Sequence, residues 1–163
     1  MAFNLGFHRE RSLESNAYDY SSHELYFITL CTCQRRCVFG SIVSGQVNLN
    51  QWGEIVQSHW LDLPQHCPWL QLDEWVVMPN HFHGIVILPH SQSIPEIIHG
   101  FKARSSRHIN QIRDEVGMPI WQRNDYRHPI RNATELQKIR YCIQTNPLAW
   151  RSDRLHPANL SNW

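Results

Sequence analysis

The chain has 163 residues, of which 42 % are hydrophobic and 18 % charged, with a formal net charge of +1. This length and composition fit one globular domain and exclude a disordered chain, while the near-zero charge gives no bulk signal for a nucleic-acid partner. No apolar run approaches the roughly 18 residues that cross a membrane.

The first 20 residues are polar and partly basic and end in Tyr18-Asp19-Tyr20, which reads as an arm. Leu25–Thr32 (LYFITLCT) is β-branched and aromatic and predicts a strand; a turn at 34–36 leads to a second strand over Val38–Val43. Asn48–Leu63 places Trp52, Ile55, Val56, His59 and Trp60 at helical spacing and stops before Pro64. Leu70–Val77 predicts a strand, broken at Pro79-Asn80. His81–Leu88 then resumes as an alternating run, with His81, His83, Ile85 and Ile87 on one face. A helix is expected from Ser93 to about Arg113, a short strand over Ile120–Gln122, and a last helix capped at Asn132 and ended by Pro147. The order β-β-α-β-β-α-β-α predicts an α+β fold, an antiparallel sheet with flanking helices. The expected organisation is an arm over 1–20, a domain over 21–152 and a loosely packed tail over 153–163.

Five cysteines stand at positions 31, 33, 37, 67 and 142, with no secretory signal at the start. A reducing cytoplasm with free thiols is the expectation. The C-x-C-x3-C spacing of the first three is not a usual zinc spacing.

Local charge is more informative than net charge. Between Phe101 and Arg140 there are nine Lys or Arg residues against four acids. Lys102, Arg104 and Arg107 on the predicted third helix, and Arg123, Arg127 and Arg131 after it, are candidate phosphate contacts; a solvated surface is the alternative. The chemistry is concentrated at His81 and His83. In a strand, residues i and i+2 point the same way, so two imidazoles so placed can converge on one cation. Two histidines leave the site incomplete, and a third ligand must come from elsewhere in the fold.

The segment WVVMPNHFHGIVIL, Trp75 to Leu88, resembles the HUH strand of the small tyrosine transposases of single-strand insertion sequences, and more closely their REP-associated relatives. The resemblance extends through YDYSSHELYFITLCT (18–32), CVFG (37–40), FKARSSRHIN (101–110), WQRNDYRHPIRNATELQKIR (121–140) and NPLAW (146–150). It implies a ferredoxin-like or RRM-like antiparallel sheet, a divalent metal (Mg²⁺ or Mn²⁺) and a tyrosine nucleophile on the last main helix. It further implies cleavage and transfer of single-stranded DNA beside a hairpin through a 5′-phosphotyrosyl intermediate. Arg9 and Arg11 are then candidates for an arm that reads DNA, and Tyr126 for a residue that stacks on a base. The implied protein is a cytoplasmic monomer or homodimer with hairpin DNA as partner and no membrane.

The chain departs from the pattern at the nucleophile. The family helix usually reads Tyr-x-x-x-Asn-Pro. Here Asn146-Pro147 is present, but Cys142 stands four residues before Asn146 and Tyr141 stands five before it. One residue rotates a side chain by about 100° around a helix. Three readings stay open: Tyr141 is the nucleophile in a shifted register, with Asn146 or Gln144 as third metal ligand; Cys142 replaces it; or cleavage is lost and hairpin binding remains. An unrelated RNA-binding ferredoxin-like module is disfavoured, because the paired sheet aromatics of such modules are absent.

Overall fold

The computed structural model describes residues 23–159. Arg9, Arg11 and the predicted arm lie outside the described residues. Ten elements form in the order β1 (His23–Cys31), β2 (Gly40–Val43), β3 (Gln46–Leu49), α1 (Gln51–Leu61), α2 (Leu63–His66), β4 (Gln71–Met78), β5 (His81–Pro89), α3 (Ile94–Ile112), β6 (Tyr126–Ile130) and α4 (Ala133–Thr145), with short 3-10 turns between and after them. Four strands make one antiparallel sheet in the order β4-β5-β1-β6, and β2 and β3 form a separate hairpin. The expected α+β architecture is therefore the one observed.

Alternation along β1 and β5 divides the molecule into two cores. One face of the sheet carries Ile28, Leu30, Phe82, Val86 and Leu88, packed with Trp60 of α1 and Phe101 of α3. The opposite face carries Leu25, Ile85 and Ile87, packed with Leu136 and Ile143 of α4. His81 and His83 share the periodicity of Ile85 and Ile87, so they emerge on the α4 face. Gly84 serves the other face. A Cβ there would stand 2.6 Å from Trp60 Cζ2, and its absence lets the indole settle on β5 against Phe82, with ring centroids 4.5 Å apart.

Several elements differ from the sequence reading, which has neither β3 nor α2. The first helix starts at Gln51 instead of Asn48, because Val47 and Leu49 belong to β3 and the Asn50 side chain caps the helix by accepting from Trp52 N and Gly53 N. The last sheet strand is Tyr126–Ile130, not Ile120–Gln122. Ile120–Gln122 instead runs past the end of β1, making a single bridge between Trp121 and Thr32. Pro129 weakens the strand signal of β6, yet β6 is a sheet edge, where proline is tolerated. Residues 150–159, after α4, fold back over the end of β5. Asn80 Nδ2 donates to Leu155 O at 2.7 Å, and the Trp150 and His81 ring centroids lie 6.0 Å apart.

Candidate metal and DNA site

Pro79 and Asn80 turn the chain between β4 and β5 and leave His81 as the first residue of β5. Asn80 is buried and fully committed. Its amide Nδ2 donates to Arg35 O at 3.1 Å and to Leu155 O at 2.7 Å, so its Oδ1 is left as an acceptor, 2.8 Å from His81 Nδ1. His81 must therefore carry its proton on Nδ1 and present a lone pair at Nε2. Burial, above all, pushes the His81 pKa down to about 4, so the ring is neutral at neutral pH.

What faces that lone pair is unusual for a buried histidine. Asn146 Oδ1, from the C-terminal end of α4, lies 3.3 Å from Nε2, and Asp153 Oδ2 lies 3.6 Å from it. Asn146 Nδ2 donates to Asp153 Oδ2 at 2.9 Å, which fixes the amide with its oxygen toward the imidazole. A lone pair and an amide oxygen thus face each other with no proton between them, an arrangement that a cation satisfies.

His83 sits beside this point, with its ring centroid 4.6 Å from that of His81. Its Nδ1 is paired with Thr29 Oγ1 at 2.8 Å, which orients the ring. Burial, with the neighbouring His81 adding to it, holds the His83 pKa near 3. The residues fit a divalent cation by donor chemistry: two neutral imidazoles oriented through their Nδ1 atoms, and one amide oxygen. Among the described residues no group of three His, Cys, Asp or Glu side chains forms a metal cage, so the third donor of this set is the amide.

The two remaining candidates on α4 are not brought to the histidines. Gln144 is exposed and donates through Nε2 to Glu74 Oε1 at 3.0 Å. Tyr141 lies on α4, is 66 % exposed, and its phenol touches no other described polar or aromatic group. Helical phase puts it about 140° from Asn146, whereas Cys142 is about 40° from Asn146. Both helix faces are fixed by α4's attachment to β4, where Arg140 Nε donates to Asp73 Oδ1 at 2.8 Å.

The candidate DNA contacts fall into two groups. Tyr126 is opposite Thr29 in the β1–β6 ladder, and Thr29 is opposite His83 in the β1–β5 ladder, so the three form one row across the sheet. Phe27 bridges His83 and Tyr126, with ring centroids 5.2 and 6.4 Å away, and Tyr126 stacks parallel to His128. Arg127 is paired with Asp125, and Arg131 precedes the α4 cap, where its N–H donates to Glu135 Oε2. The second group lies along α3. Lys102, Arg107 and Arg123 line a groove of about 860 Å³ with Trp121 and Gln122. Lys102 and Arg123 also border a smaller adjoining one with Arg127, and Lys102 Nζ donates to Arg123 O at 3.0 Å. Arg104 is not in either lining; its guanidinium folds against Gly100 on the same helix.

Asn80, Thr29 and Asp153 were not among the sequence-derived site residues. The Asn80-His81 adjacency at a turn offered a signal for the first; the other two are joined to the histidines only by tertiary pairing.

The profile of the family described as Transposase IS200 like matches residues 22–146. The chain belongs to this IS200-like transposase family. Two solved structures share the transposase fold. One, of a REP-associated tyrosine transposase bound to a REP hairpin, is 18 % identical with a TM-score of 0.62, covering 79 % of this chain and 69 % of that one. The other, a crystal structure of a protein described as a transposase candidate from Deinococcus radiodurans R1, is 16 % identical with a TM-score of 0.55, covering 81 % of this chain and 96 % of that one. A Haemophilus influenzae Rd protein described as uncharacterized is 35 % identical, over 94 % of this chain and 97 % of its own length. No helix among the described residues of this transposase-family chain is long and apolar enough to cross a membrane.

Proposed function

We propose that this chain is a metal-dependent single-stranded-DNA endonuclease and strand transferase that acts at hairpin DNA. The observation that carries the reading is the convergence of the His81 Nε2 lone pair and Asn146 Oδ1, 3.3 Å apart, beside His83 on one sheet face. A bound Mg²⁺ or Mn²⁺ would neutralise the non-bridging oxygens of a scissile phosphate and favour in-line attack on it. His81, His83 and Asn146 would hold the ion. Asn80 and Thr29 orient the two imidazoles. Tyr126 and Phe27, in line with His83, offer aromatic surface to an unpaired base next to the phosphate. Lys102, Arg107 and Arg123 bind the backbone, and Arg127 and Arg131 extend that surface along the β6 edge.

The nucleophile in this reading is Tyr141. Its phenolic oxygen attacks the phosphorus, the bond to the 3′ oxygen breaks, and the upstream strand leaves with a 3′-hydroxyl that takes up the phenolic proton. The downstream strand stays on the protein through a 5′-phosphotyrosyl bond, which a second 3′-hydroxyl can resolve without a nucleotide cofactor. The phase of Tyr141 on α4 favours a second reading, a hairpin-binding protein on a transposase scaffold whose nucleophile position is held by Cys142.

One assay separates them. A hairpin-bearing single strand labelled at its 3′ end is incubated with the protein and Mn²⁺, and a covalent protein–DNA adduct is sought by denaturing electrophoresis. The proposal expects an adduct that Tyr141→Phe abolishes while hairpin binding stays within about twofold. Absence of any adduct, together with its appearance in Cys142→Tyr, would establish the binder.

A further inference from the structure

The carboxylate at position 153 comes from the segment after α4 and lies against the cation site without belonging to its ligand set. Its side chain is only 9 % exposed. Both of its oxygens are engaged by donors: Oδ1 accepts from Leu155 N at 2.7 Å, and Oδ2 accepts from Asn146 Nδ2 at 2.9 Å. The turn that presents it is braced by Asn159 Nδ2, which donates to Asp153 O and to Arg151 O.

The amide of Asn146 has two possible orientations. In one, its oxygen faces His81 Nε2 and leaves a slot for a cation. In the other, its NH₂ group faces His81 and donates a hydrogen bond to the lone pair there, filling the slot. An isolated Asn beside a neutral imidazole acceptor would take the second orientation, because that pairs a donor with an acceptor. A carboxylate cannot donate, so a carboxylate at Oδ2 distance draws the NH₂ group to itself and turns the oxygen toward the histidine.

We infer that Asp153 is a positioning residue that keeps Asn146 in its cation-binding orientation. The inference rests on the metal reading proposed above. It assigns to the segment after α4 a part in assembling the site.

The test uses the full chain and Mn²⁺ alone, with affinity measured by titration calorimetry. Asp153→Asn is isosteric and keeps an oxygen acceptor for Leu155 N. With that oxygen pinned, its new NH₂ group stands where Oδ2 was, and Asn146 must turn its own oxygen toward it. The Asn146 NH₂ group then fills the slot. Loss of such an orienting partner weakens metal binding by about 10- to 100-fold, and that is the loss expected. The exchange variant Asn146→Asp with Asp153→Asn puts a carboxylate at 146 that accepts from the amide at 153 and has no donor to offer His81. It is expected to bind Mn²⁺ at least as well as the unaltered chain, since the carboxylate at 146 is the stronger oxygen donor.

Binding by Asp153→Asn within twofold of the unaltered chain overturns the inference. So does an exchange variant that folds with the same melting temperature yet remains as weak as the single one. His81→Ala separates this failure from a deeper one. If the unaltered chain binds no Mn²⁺, or binds it equally well after His81→Ala, the cation site itself falls and the inference falls with it.

Discussion

Asn80, His81 and Asn146 show how single polar groups build this site. Asn80 is 1 % exposed and makes three hydrogen bonds, one of which sets the His81 tautomer. Asn80→Ala removes the donor to two carbonyls and the acceptor of a ring N–H. An unsatisfied buried group costs about 1–3 kcal/mol, so the urea midpoint of this variant should fall by that equivalent, with Mn²⁺ affinity falling as well. Retained stability would mean that water takes over all three bonds. Asn146→Ala should lower Mn²⁺ affinity at least tenfold, with some loss of stability because Asp153 Oδ2 loses its amide donor; equal affinity in calorimetry would remove it from the ligand set. Sequence legibility at this scale followed covalent proximity. The i, i+2 spacing put His81 and His83 on one face, and the resemblance to the family's Tyr-x-x-x-Asn-Pro pattern pointed to Asn146. Thr29 and Asp153 were hidden, being 54 and 72 positions from the histidines they serve and linked to them only by strand pairing and chain return.

At the scale of elements, β5 and α4 decide where the chemistry sits. β5 needs close contact with α1, and Gly84 supplies it. Gly84→Ala forces a methyl group into the Trp60 indole and should cost about 1–3 kcal/mol as overpacking, measured by chemical denaturation; an unchanged midpoint would show that the indole moves aside freely. α4 needs a fixed register so that Asn146 meets His81. Its hold is the Arg140–Asp73 pair, in which the side chains are 15 % and 7 % exposed, with Gln144–Glu74 alongside. Breaking a largely buried pair by removing one partner costs about 3 kcal/mol. Asp73→Asn should therefore lower stability by roughly that amount, and should weaken Mn²⁺ binding through the register of α4. Helices α1, α3 and α4 and the central strands were legible because their periods run over eight or more residues. β6 was not, because Arg127 and Pro129 give it no hydrophobic alternation; edge position and the Tyr126, His128 and Phe27 rings stand in for that pattern.

At the scale of the whole molecule, the described residues place two candidate surfaces on opposite sides of one sheet. Histidines and aromatic rings lie on the α4 side, while Lys102, Arg107 and Arg123 line a groove along α3, which packs on the other side. A net charge of +1 conceals this segregation. Hairpin binding should weaken steeply as salt rises, because phosphate contacts release counterions, and Arg107→Ala or Arg123→Ala should each reduce the log–log salt slope by about 0.7–0.9. A slope unchanged by both variants would take the groove out of the interface. The fold and family were legible because several motifs recur in order across most of the chain; the cleavage register was not, since one residue of helical phase separates Tyr141 from the position facing Asn146. The account's central claim is that the two histidines hold a cation which acts on a single strand. Its most direct test is cleavage of a hairpin-bearing single strand in Mn²⁺, by the unaltered chain and by His83→Ala, with and without chelator. The account predicts cleavage that chelator or His83→Ala abolishes while hairpin binding persists. Cleavage that survives either treatment would contradict it.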